Sequence, residues 1–374
     1  MSKRIGILTS GGDSPGINAA IRAIGKTANG EFGMEVIGFQ DGFIGLVNNN
    51  WVKFESNMFS GILTAGGTIL GTSRDLPNAI LTEDQTSDQT EQAIRVYKQH
   101  NLDALVCLGG NETQAAVLSL YQRGMNIITL PKTIDNDIPR TDTTIGFDSA
   151  LTIATEAIDR LHSTAHSHHR IIIIEIMGRD SGWLTLGAGI SGGADVILIP
   201  EIPYDVNCIA DAIIKRNLKG KRFSIIAVSE GAIAKEDVEF LQSSIRAKER
   251  ALDEKTVNGI DPYLISLRDK LRGKTLHLAK QLEEMTRLEA RVTILGYLLR
   301  GGAPSATDRL LATELGSASV RLIQDGIFGV MVAKSNKDVI PVPLETIGRD
   351  HKTIPSDHSW LISARRVGTC LGDA

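Results

Sequence analysis

The segment with the most evident chemistry is Pro-Lys-Thr-Ile-Asp-Asn-Asp-Ile-Pro at positions 131–139. It directly follows a largely apolar run that is typical of a buried strand, and it carries Asp135 and Asp137 two positions apart. In extended backbone the side chains at i and i+2 point the same way, so both carboxylates would face one crevice. Paired like charges favour a nearby cation or a donating hydroxyl, which Lys132 and Thr133 supply. A turn stabilised by Asp and Asn is the competing interpretation.

Two glycine-rich segments each lie between an apolar, strand-like run and a helical pattern. They are Gly-Gly-Asp-Ser-Pro-Gly at 11–16 and Gly-Gly-Asn-Glu-Thr at 109–113. Glycines let backbone N–H groups approach an anion, and a helix N-terminus adds partial positive charge. The first segment matches neither the dinucleotide nor the Walker A pattern, and glycine also ends strands for conformational reasons alone. Together with the acid pair, the two segments predict a polyphosphate crevice lined by three strand ends.

Short apolar runs alternate with helical stretches along most of the chain, which is the pattern of parallel α/β units. Residues 171–174 are all isoleucine, as expected for a strand covered on both faces. Residues 235–290 carry many charges at helical spacing and predict two exposed helices separated by Gly259 and Pro262. Elsewhere the pattern predicts strands near 4–10, 34–40, 104–110, 126–130, 171–177, 195–200, 223–229, 291–297 and 328–333, and helices near 18–28, 88–100, 113–124, 148–166, 205–218 and 308–324.

Composition limits the possible classes of protein. The chain has 374 residues, 42% of them hydrophobic, which is enough for a large core or two lobes. A formal net charge of −4 argues against a nucleic-acid-binding surface, and no apolar run reaches the roughly 18–20 residues of a membrane helix. Cys107, Cys208 and Cys370 fit no metal-binding spacing and suggest a reducing compartment. No leader-like segment precedes Arg4, so a soluble, cytoplasmic protein is expected.

Four motifs occur in a characteristic order. They are Gly-Gly-Asp-Ser-Pro-Gly-Ile-Asn at 11–18, Pro-Lys-Thr-Ile-Asp-Asn-Asp at 131–137, Ile-Met-Gly-Arg at 176–179 and Leu-Gly-Tyr-Leu-Leu-Arg-Gly-Gly at 295–302. This set resembles the 6-phosphofructokinase family. The version of the second motif that carries Lys132 resembles the branch of the family that includes both ATP-dependent and pyrophosphate-dependent enzymes.

The resemblance implies an α/β fold of two Rossmann-like lobes with mainly parallel sheets and the active site in the cleft between them. The larger lobe, residues 1–146 with 299–349, would bind the phosphoryl donor. The smaller lobe, residues 147–298 with 350–374, would bind the sugar phosphate.

The resemblance also implies transfer of a phosphoryl group to the 1-hydroxyl of fructose 6-phosphate, giving fructose 1,6-bisphosphate in glycolysis. Such transfer needs a base near the acceptor hydroxyl and cations on the moving oxygens. Asp135 matches the family's catalytic base, and Asp137 matches the acid that helps to position the sugar and the metal. Arg179 matches the arginine that stabilises the transferring charge, with a structural ion pair as the alternative. Thr133 and Lys132 complete the expected catalytic set.

A larger set matches the sugar-phosphate site. Glu230 would accept sugar hydroxyls. Arg170, Arg291 and Arg300 match the family's phosphate-binding arginines, and arginine forks suit phosphate oxygens. In the family, the arginines matching Arg170 and Arg291 reach in from a neighbouring subunit, so at least a dimer is required and a tetramer is usual. Tyr297 stands where many relatives carry histidine. The expected substrate contacts are Thr133, Asp135, Asp137, Arg170, Met177, Gly178, Arg179, Glu230, Arg291, Tyr297 and Arg300.

The donor site departs from the family pattern. ATP-dependent relatives usually read Gly-Gly-Asp-Gly-Ser/Thr and pyrophosphate-dependent ones Gly-Gly-Asp-Asp-Thr. Here Asn111 replaces the metal-binding acid, although its carbonyl oxygen can still bind Mg²⁺. Glu112, if turned inward, would repel the α-phosphate of ATP. The residues that match donor contacts are Gly12, Arg74, Gly110, Asn111, Glu112 and Thr113.

A subgroup reading Gly-Gly-Asn-Gly-Thr is associated with ATP, so ATP is the expected donor. A pyrophosphate-dependent enzyme is the first alternative, and a catalytically impaired phosphosugar-binding subunit is the second.

Two further groups of residues receive weaker interpretations. Several basic positions match the family's effector site, but His162 replaces one of them, so effector control is not expected. The histidine cluster of His162, His166, His168 and His169 lacks the order of a zinc site, and all four are expected to be solvated at a helix end.

Overall fold

The computed structural model describes residues 2–81, 86–238, 273–348 and 350–373. The chain forms two compact units, and each unit combines two separate stretches of sequence. The first unit is Met1–Thr152 with Tyr297–Lys352, and the second is Ile153–Gly296 with Thr353–Ala374. Among the described residues, none of the helices has the length and apolar character needed to span a membrane.

Strands and helices alternate along both units. The strands are β1 (Arg4–Thr9), β2 (Glu35–Phe39), β3 (Trp51–Lys53), β4 (Ile80–Leu81), β5 (Thr86–Ser87), β6 (Ala104–Gly109), β7 (Ile127–Pro131), β8 (Ile171–Ile176), β9 (Val196–Leu198), β10 (Ser224–Ser229), β11 (Ala290–Ile294), β12 (Val330–Ser335) and β13 (Asp338–Pro343). The helices are α1 (Ile17–Glu31), α2 (Phe43–Val47), α3 (Thr90–Gln99), α4 (Asn111–Gln122), α5 (Phe147–His168), α6 (Trp183–Ser191), α7 (Val206–Leu218), α8 (Lys274–Thr286), α9 (Ala306–Gln324) and α10 (Ser359–Arg366).

The first unit contains a sheet in the order β13-β12-β7-β6-β1-β2-β3. The five inner strands are parallel, and the edge strands β3 and β13 are antiparallel to their neighbours. Thr9 at the end of β1 pairs with Leu108 of β6, which pairs with Leu130 of β7. The carboxyl ends of these three strands therefore lie at one edge, where ligands bind in open α/β sheets.

Both faces of this sheet are covered by helices. Ile5 and Ile7 of β1 contact an apolar cluster that includes α1 and α9, whereas Leu8 belongs to a cluster with α2, α3 and α4. Side chains alternate between these faces along each strand, and the two-sided burial explains the nearly continuous apolar runs in the sequence. Cys107 is fully buried in the second of these clusters, and burial raises the pKa of its thiol.

The second unit contains a parallel sheet in the order β11-β8-β10-β9. The four isoleucines of β8 are buried, and Ile171 and Ile173 share an apolar cluster with α7 and α8. Cys370 adds a parallel bridge to Val196 at the β9 edge. Its sulfur lies 3.8 Å from the sulfur of Cys208, so two sequence-distant thiols are neighbours in the fold.

The predicted α/β class with mainly parallel sheets is confirmed, and each of the nine predicted strands is present. Eight of them lie within two residues of their expected bounds, whereas the strand expected at 291–297 ends three residues early, at Ile294. Of the predicted helix pair, α8 is described, whereas Gly259 and Pro262 lie outside the described residues. The helix expected from residue 113 begins at Asn111 instead, because Gly110 already serves as its N-cap. That earlier start places the whole Asn-Glu-Thr sequence in the first helical turn.

Candidate active site

The carboxyl ends of β1, β6 and β7 are joined by hydrogen bonds. The N–H of Ser10 donates to Leu108 O (2.9 Å), and the N–H of Lys132 donates to Gly109 O (3.1 Å). The hydroxyl of Thr113 donates to Ser10 Oγ (3.2 Å). The two glycine-rich segments and the acidic loop therefore lie side by side at one sheet edge of the first unit.

Lys132 is buried beneath the first glycine-rich segment, with 2% of its surface exposed. Its ammonium donates to Ser10 O (2.8 Å) and Gly12 O (2.5 Å). Burial and, to a lesser extent, the nearby Arg300 guanidinium lower the pKa of Lys132 to about 7, against the opposing effect of the Asp13 and Asp135 carboxylates. The two carbonyl acceptors act in the opposite direction, because they favour the charged form. Lys132 thus ties the backbone of the glycine turn to the end of β7.

Arg300 lies against Gly12 in the same unit. A Cβ atom at Gly12 would lie 1.8 Å from Arg300 Nη1, so glycine leaves the space that the guanidinium occupies. The Arg300 side chain is 15% exposed, and Nη1 lies 3.9 Å from Asp13 Oδ1. Its Nε is buried and has no hydrogen-bond partner within the described residues. The guanidinium therefore retains donor capacity for an anion at this edge.

The two acids of the loop occupy different environments. Asn136 between them has a φ of +51°, which is the left-handed region. The expected extended backbone from Asp135 to Asp137 is therefore wrong, so the i, i+2 rule does not apply to these two carboxylates. Asp135 is half-buried, and its N–H donates to Thr133 Oγ1 (3.1 Å). Asp137 is buried, with 8% of its surface exposed.

Two side chains donate to the Asp137 carboxylate. Asn111 Nδ2 lies 2.9 Å from Asp137 Oδ2 and 3.1 Å from Asp137 O. His351 Nδ1 lies 2.7 Å from the same Oδ2. Sequence reasoning missed His351, which is 214 residues away from Asp137 along the chain and belongs to no motif. Asn111 is the first residue of α4, so the helix start sets the backbone position from which its side-chain amide reaches Asp137.

Lys352 adds a second set of contacts to the acidic loop. The backbone N–H of Lys352 donates to Asp137 O (2.7 Å). Its ammonium donates to Asn136 Oδ1 (2.9 Å), Thr141 O (2.9 Å) and Asp142 O (3.1 Å). Burial lowers the pKa of Lys352 to about 8, against the opposing effect of the nearby carboxylates. Lys352 therefore anchors the loop through both its main chain and its side chain.

Arg74 and Glu112, which the sequence assigns to the donor site, are both exposed. Arg74 follows Ser73, whose carbonyl accepts a hydrogen bond from Gly11 N–H (2.7 Å), so Arg74 flanks the glycine turn. Glu112 lies in the first turn of α4, where the partial positive charge of the helix N-terminus stabilises a carboxylate.

In the second unit, the ends of β8 and β10 carry the predicted sugar-binding residues 177–179 and Glu230. The N–H of Gly231 donates to Gly178 O (3.1 Å). A Cβ atom at Gly231 would lie 1.9 Å from Arg179 O, so the two loops are packed backbone to backbone. The side chains of Arg179 and Glu230 are exposed above this packed backbone.

Arg170 and Arg291 share Glu289 as their partner in the second unit. Arg170 Nε lies 2.5 Å from Glu289 Oε2, and Arg291 Nη2 contacts Glu289 Oε1. The hydrogen bond from Arg170 is the main reason that the pKa of Glu289 is lowered. The structure therefore brings together two of the three predicted phosphate-binding arginines, while Arg300 belongs to the first unit. Tyr297, also in the first unit, is exposed, and its ring centroid lies 5.7 Å from Arg300 Cζ.

The histidine cluster lies at the carboxyl end of α5. His166, His168 and His169 are exposed, as expected. His162 is instead half-buried, and its Nε2 lies 2.7 Å from Gly192 O, so it is not a solvated residue. Within the described ranges, no group of three or more histidine, cysteine or acidic residues is arranged to hold a metal ion.

Comparison with known proteins gives consistent matches. The sequence model of the family described as Phosphofructokinase matches residues 4–323. The ATP-dependent 6-phosphofructokinase of Propionibacterium freudenreichii subsp. shermanii is 51% identical over 373 residues, covering 100% of both chains. The ATP-dependent 6-phosphofructokinase of Spirochaeta thermophila is 46% identical, covering 100% of this chain and 98% of the relative.

Solved structures agree with this architecture. Phosphofructokinase of Pichia pastoris in the T-state superposes with a TM-score of 0.76 at 30% identity, over 93% of this chain and 35% of that one. A pyrophosphate-dependent phosphofructokinase from Marinobacter aquaeolei gives a TM-score of 0.77 at 20% identity, over 100% and 92% of the two chains. At that identity the second match speaks for the fold alone.

Proposed function

Because this chain belongs to the phosphofructokinase family, we propose that it transfers a phosphoryl group from ATP to the 1-hydroxyl of fructose 6-phosphate, giving fructose 1,6-bisphosphate in glycolysis. The observation that carries this proposal is the single sheet edge that joins two glycine-rich helix starts to Asp135 and Asp137. The names of the relatives that match along the full chain support ATP as the donor.

Asp135 is the base that takes the proton from the acceptor hydroxyl. A general base must reach that proton directly or through one water, and the half-buried Asp135 remains accessible to a substrate. Asp137 is held by its neighbours and positions the sugar and the metal. Thr133 hydrogen-bonds the sugar or the moving phosphoryl group, and Arg179 stabilises the transferring charge.

Phosphate recognition is divided among several residues. Gly12, Arg74 and the first turn of α4 contact the donor, because backbone N–H groups at a helix start bind anions. Arg300 binds the 6-phosphate of the sugar through donors that its own unit leaves available. Arg170 and Arg291 act on the site of a neighbouring subunit, so the active form is a homo-oligomer of at least two chains, with a tetramer expected. A cytoplasmic location stays a prediction.

The residues at this edge fit Mg²⁺. This cation prefers oxygen ligands and binds through one or two carboxylates together with substrate phosphates. The amide nitrogen of Asn111 is used by Asp137, so the amide oxygen of Asn111 would be the group that holds the cation. When bound there, Mg²⁺ neutralises charge on the donor phosphates.

Coupled assays with ATP and with pyrophosphate test the donor, using the wild type and Glu112→Gly. We expect turnover with ATP at least about 100-fold above that with pyrophosphate. We expect the same preference for ATP in the variant, since Glu112 is exposed at the helix start. Turnover with pyrophosphate alone would establish the first alternative, which the acidic Glu112 favours. Calorimetric binding of fructose 6-phosphate without turnover on either donor would establish the impaired subunit.

A further inference from the structure

Two nitrogen atoms converge on one oxygen of Asp137. Asn111 Nδ2 and His351 Nδ1 lie 2.9 Å and 2.7 Å from Oδ2, and the two nitrogens lie 3.0 Å from each other. An ionised carboxylate only accepts hydrogen bonds, and the amide nitrogen only donates. The proton of the His351 ring that faces Asp137 is therefore on Nδ1, and both side chains donate to the same acceptor.

This arrangement fixes the rotation of the carboxylate. With Oδ2 held by two donors, and the main-chain oxygen of Asp137 held by Asn111 Nδ2 and Lys352 N–H, the side chain has one orientation. Charge-assisted hydrogen bonds of this kind are shorter and stronger than neutral ones. The Asp137 carboxylate is thereby oriented before any ligand arrives.

The histidine that supplies one of these donors lies outside the sequence shared with the family model, which ends at residue 323. It is followed directly by Lys352, which binds Asn136 of the same loop. Two adjacent residues of this segment therefore contact consecutive residues of the acidic loop. Such neighbours of a catalytic group orient it without touching the substrate themselves.

We propose that His351 is a positioning residue for the phosphoryl transfer, acting through Asp137 together with Asn111. This inference rests on the proposed function of Asp137 at the sugar and metal. Loss of the Nδ1 donor leaves the Asp137 carboxylate held by Asn111 alone, and this looser orientation slows turnover while the rest of the sugar site is unchanged.

The test compares four variants of the full chain, His351→Ala, His351→Asn, His351→Gln and Asp137→Asn, with the exposed His168→Ala as control. The amide of asparagine places a donor near the position of Nδ1, whereas glutamine carries it further out. We expect His351→Ala and His351→Gln to lower kcat about 10-fold with less than about a 3-fold change in the KM for fructose 6-phosphate. We expect His351→Asn to recover most of the turnover.

The double variant Asp137→Asn/His351→Ala separates positioning from general stability. If His351 acts through Asp137, the double variant is no slower than Asp137→Asn alone, and fructose 6-phosphate binding measured by calorimetry is retained. Wild-type turnover by His351→Ala, equal activity of the Asn and Gln variants, or a full additional loss in the double variant would overturn the inference. Absence of turnover in the wild type would instead overturn the proposed function.

Discussion

The carboxyl edges of the two sheets hold their polar residues in different ways. In the first unit, side chains fix the site: Lys132 binds the glycine turn, and His351 binds Asp137. In the second unit, backbone contacts fix the loops after β8 and β10, and the side chains of Arg179 and Glu230 stay exposed. Prearranged groups cost no reorganisation during the reaction. The first edge therefore holds its polar side chains in place, whereas the second leaves Arg179 and Glu230 exposed on a fixed backbone.

The largest effect is expected from removing Asp135, the proposed base at the sheet edge of the first unit. Asp135→Ser should lower kcat about 10³-fold, because a positioned general base contributes this order of rate. The KM for fructose 6-phosphate should change less than about 3-fold. Steady-state kinetics with ATP measure both values, and Asp338→Ser on the exposed edge strand is the matched control. Near-normal turnover would refute the assignment of the base.

Two glycine substitutions compare the edges directly. A Cβ at Gly231 meets a backbone oxygen, Arg179 O, whereas a Cβ at Gly12 meets the movable end of the Arg300 side chain. Gly231→Ala should therefore destabilise the protein by about 2 kcal/mol and raise the KM for fructose 6-phosphate, while Gly12→Ala should cost about 0.5 kcal/mol. Denaturant unfolding and kinetics provide the measurement. The opposite order of stability would contradict the contrast between the edges.

The buried ammonium gives a pH-dependent prediction. Burial lowers the pKa of folded Lys132 to about 7, below its unfolded value of about 10.4. Between these values the unfolded chain binds a proton that the folded protein lacks, so this group makes stability rise as pH increases from about 7 towards 10. Lys132→Met should remove that contribution and flatten the pH dependence of the free energy of unfolding.

Denaturant unfolding at several pH values from 6 to 10 measures the slope of the free energy of unfolding against pH. One fully coupled proton gives a slope of ~1.4 kcal/mol per pH unit. The control is Lys337→Met on an exposed turn, which should parallel the wild type. Parallel curves for the wild type and Lys132→Met would show that Lys132 keeps its proton throughout, held by its two carbonyl acceptors.

The smallest effect is expected at the start of α4. Glu112→Gln removes a negative charge from the first helical turn, so it should destabilise the protein by about 0.5 kcal/mol. Its exposed position predicts less than about a 2-fold change in the KM for ATP. A large gain in ATP use by this variant would show that the carboxylate turns toward the donor. The first edge would then also carry an exposed side chain that acts at the site, which would weaken the contrast between the two edges.

The sequence predicted those parts of the fold that have a local signal. The inner strands appear as apolar runs because both faces of each sheet are covered. Edge strand β13 escaped prediction because it contains Pro341 and Pro343, and proline weakens a strand pattern. Helix α6 escaped because Gly187 and Gly189 lower helix propensity, although Gly189 packs closely against Ile197 of β9.

The site was predictable to the extent that its residues lie in short motifs. Strand ends located the glycine turns and the acidic loop, because parallel neighbours end at one edge. The separate environments of Asp135 and Asp137 were not predictable, since they depend on the left-handed Asn136 and on the long-range partner His351. No periodicity or spacing records a contact across 214 residues.

The segment from His351 to Asp373 contributes first to one structural unit and then to the other. Lys352 holds the acidic loop of the first unit, and Cys370 extends the sheet of the second unit beside β9. An insertion between Lys352 and Thr353 would fall between these two anchors. A fused domain or an added linker placed there must leave both the Lys352 contacts and the Cys370 bridge intact.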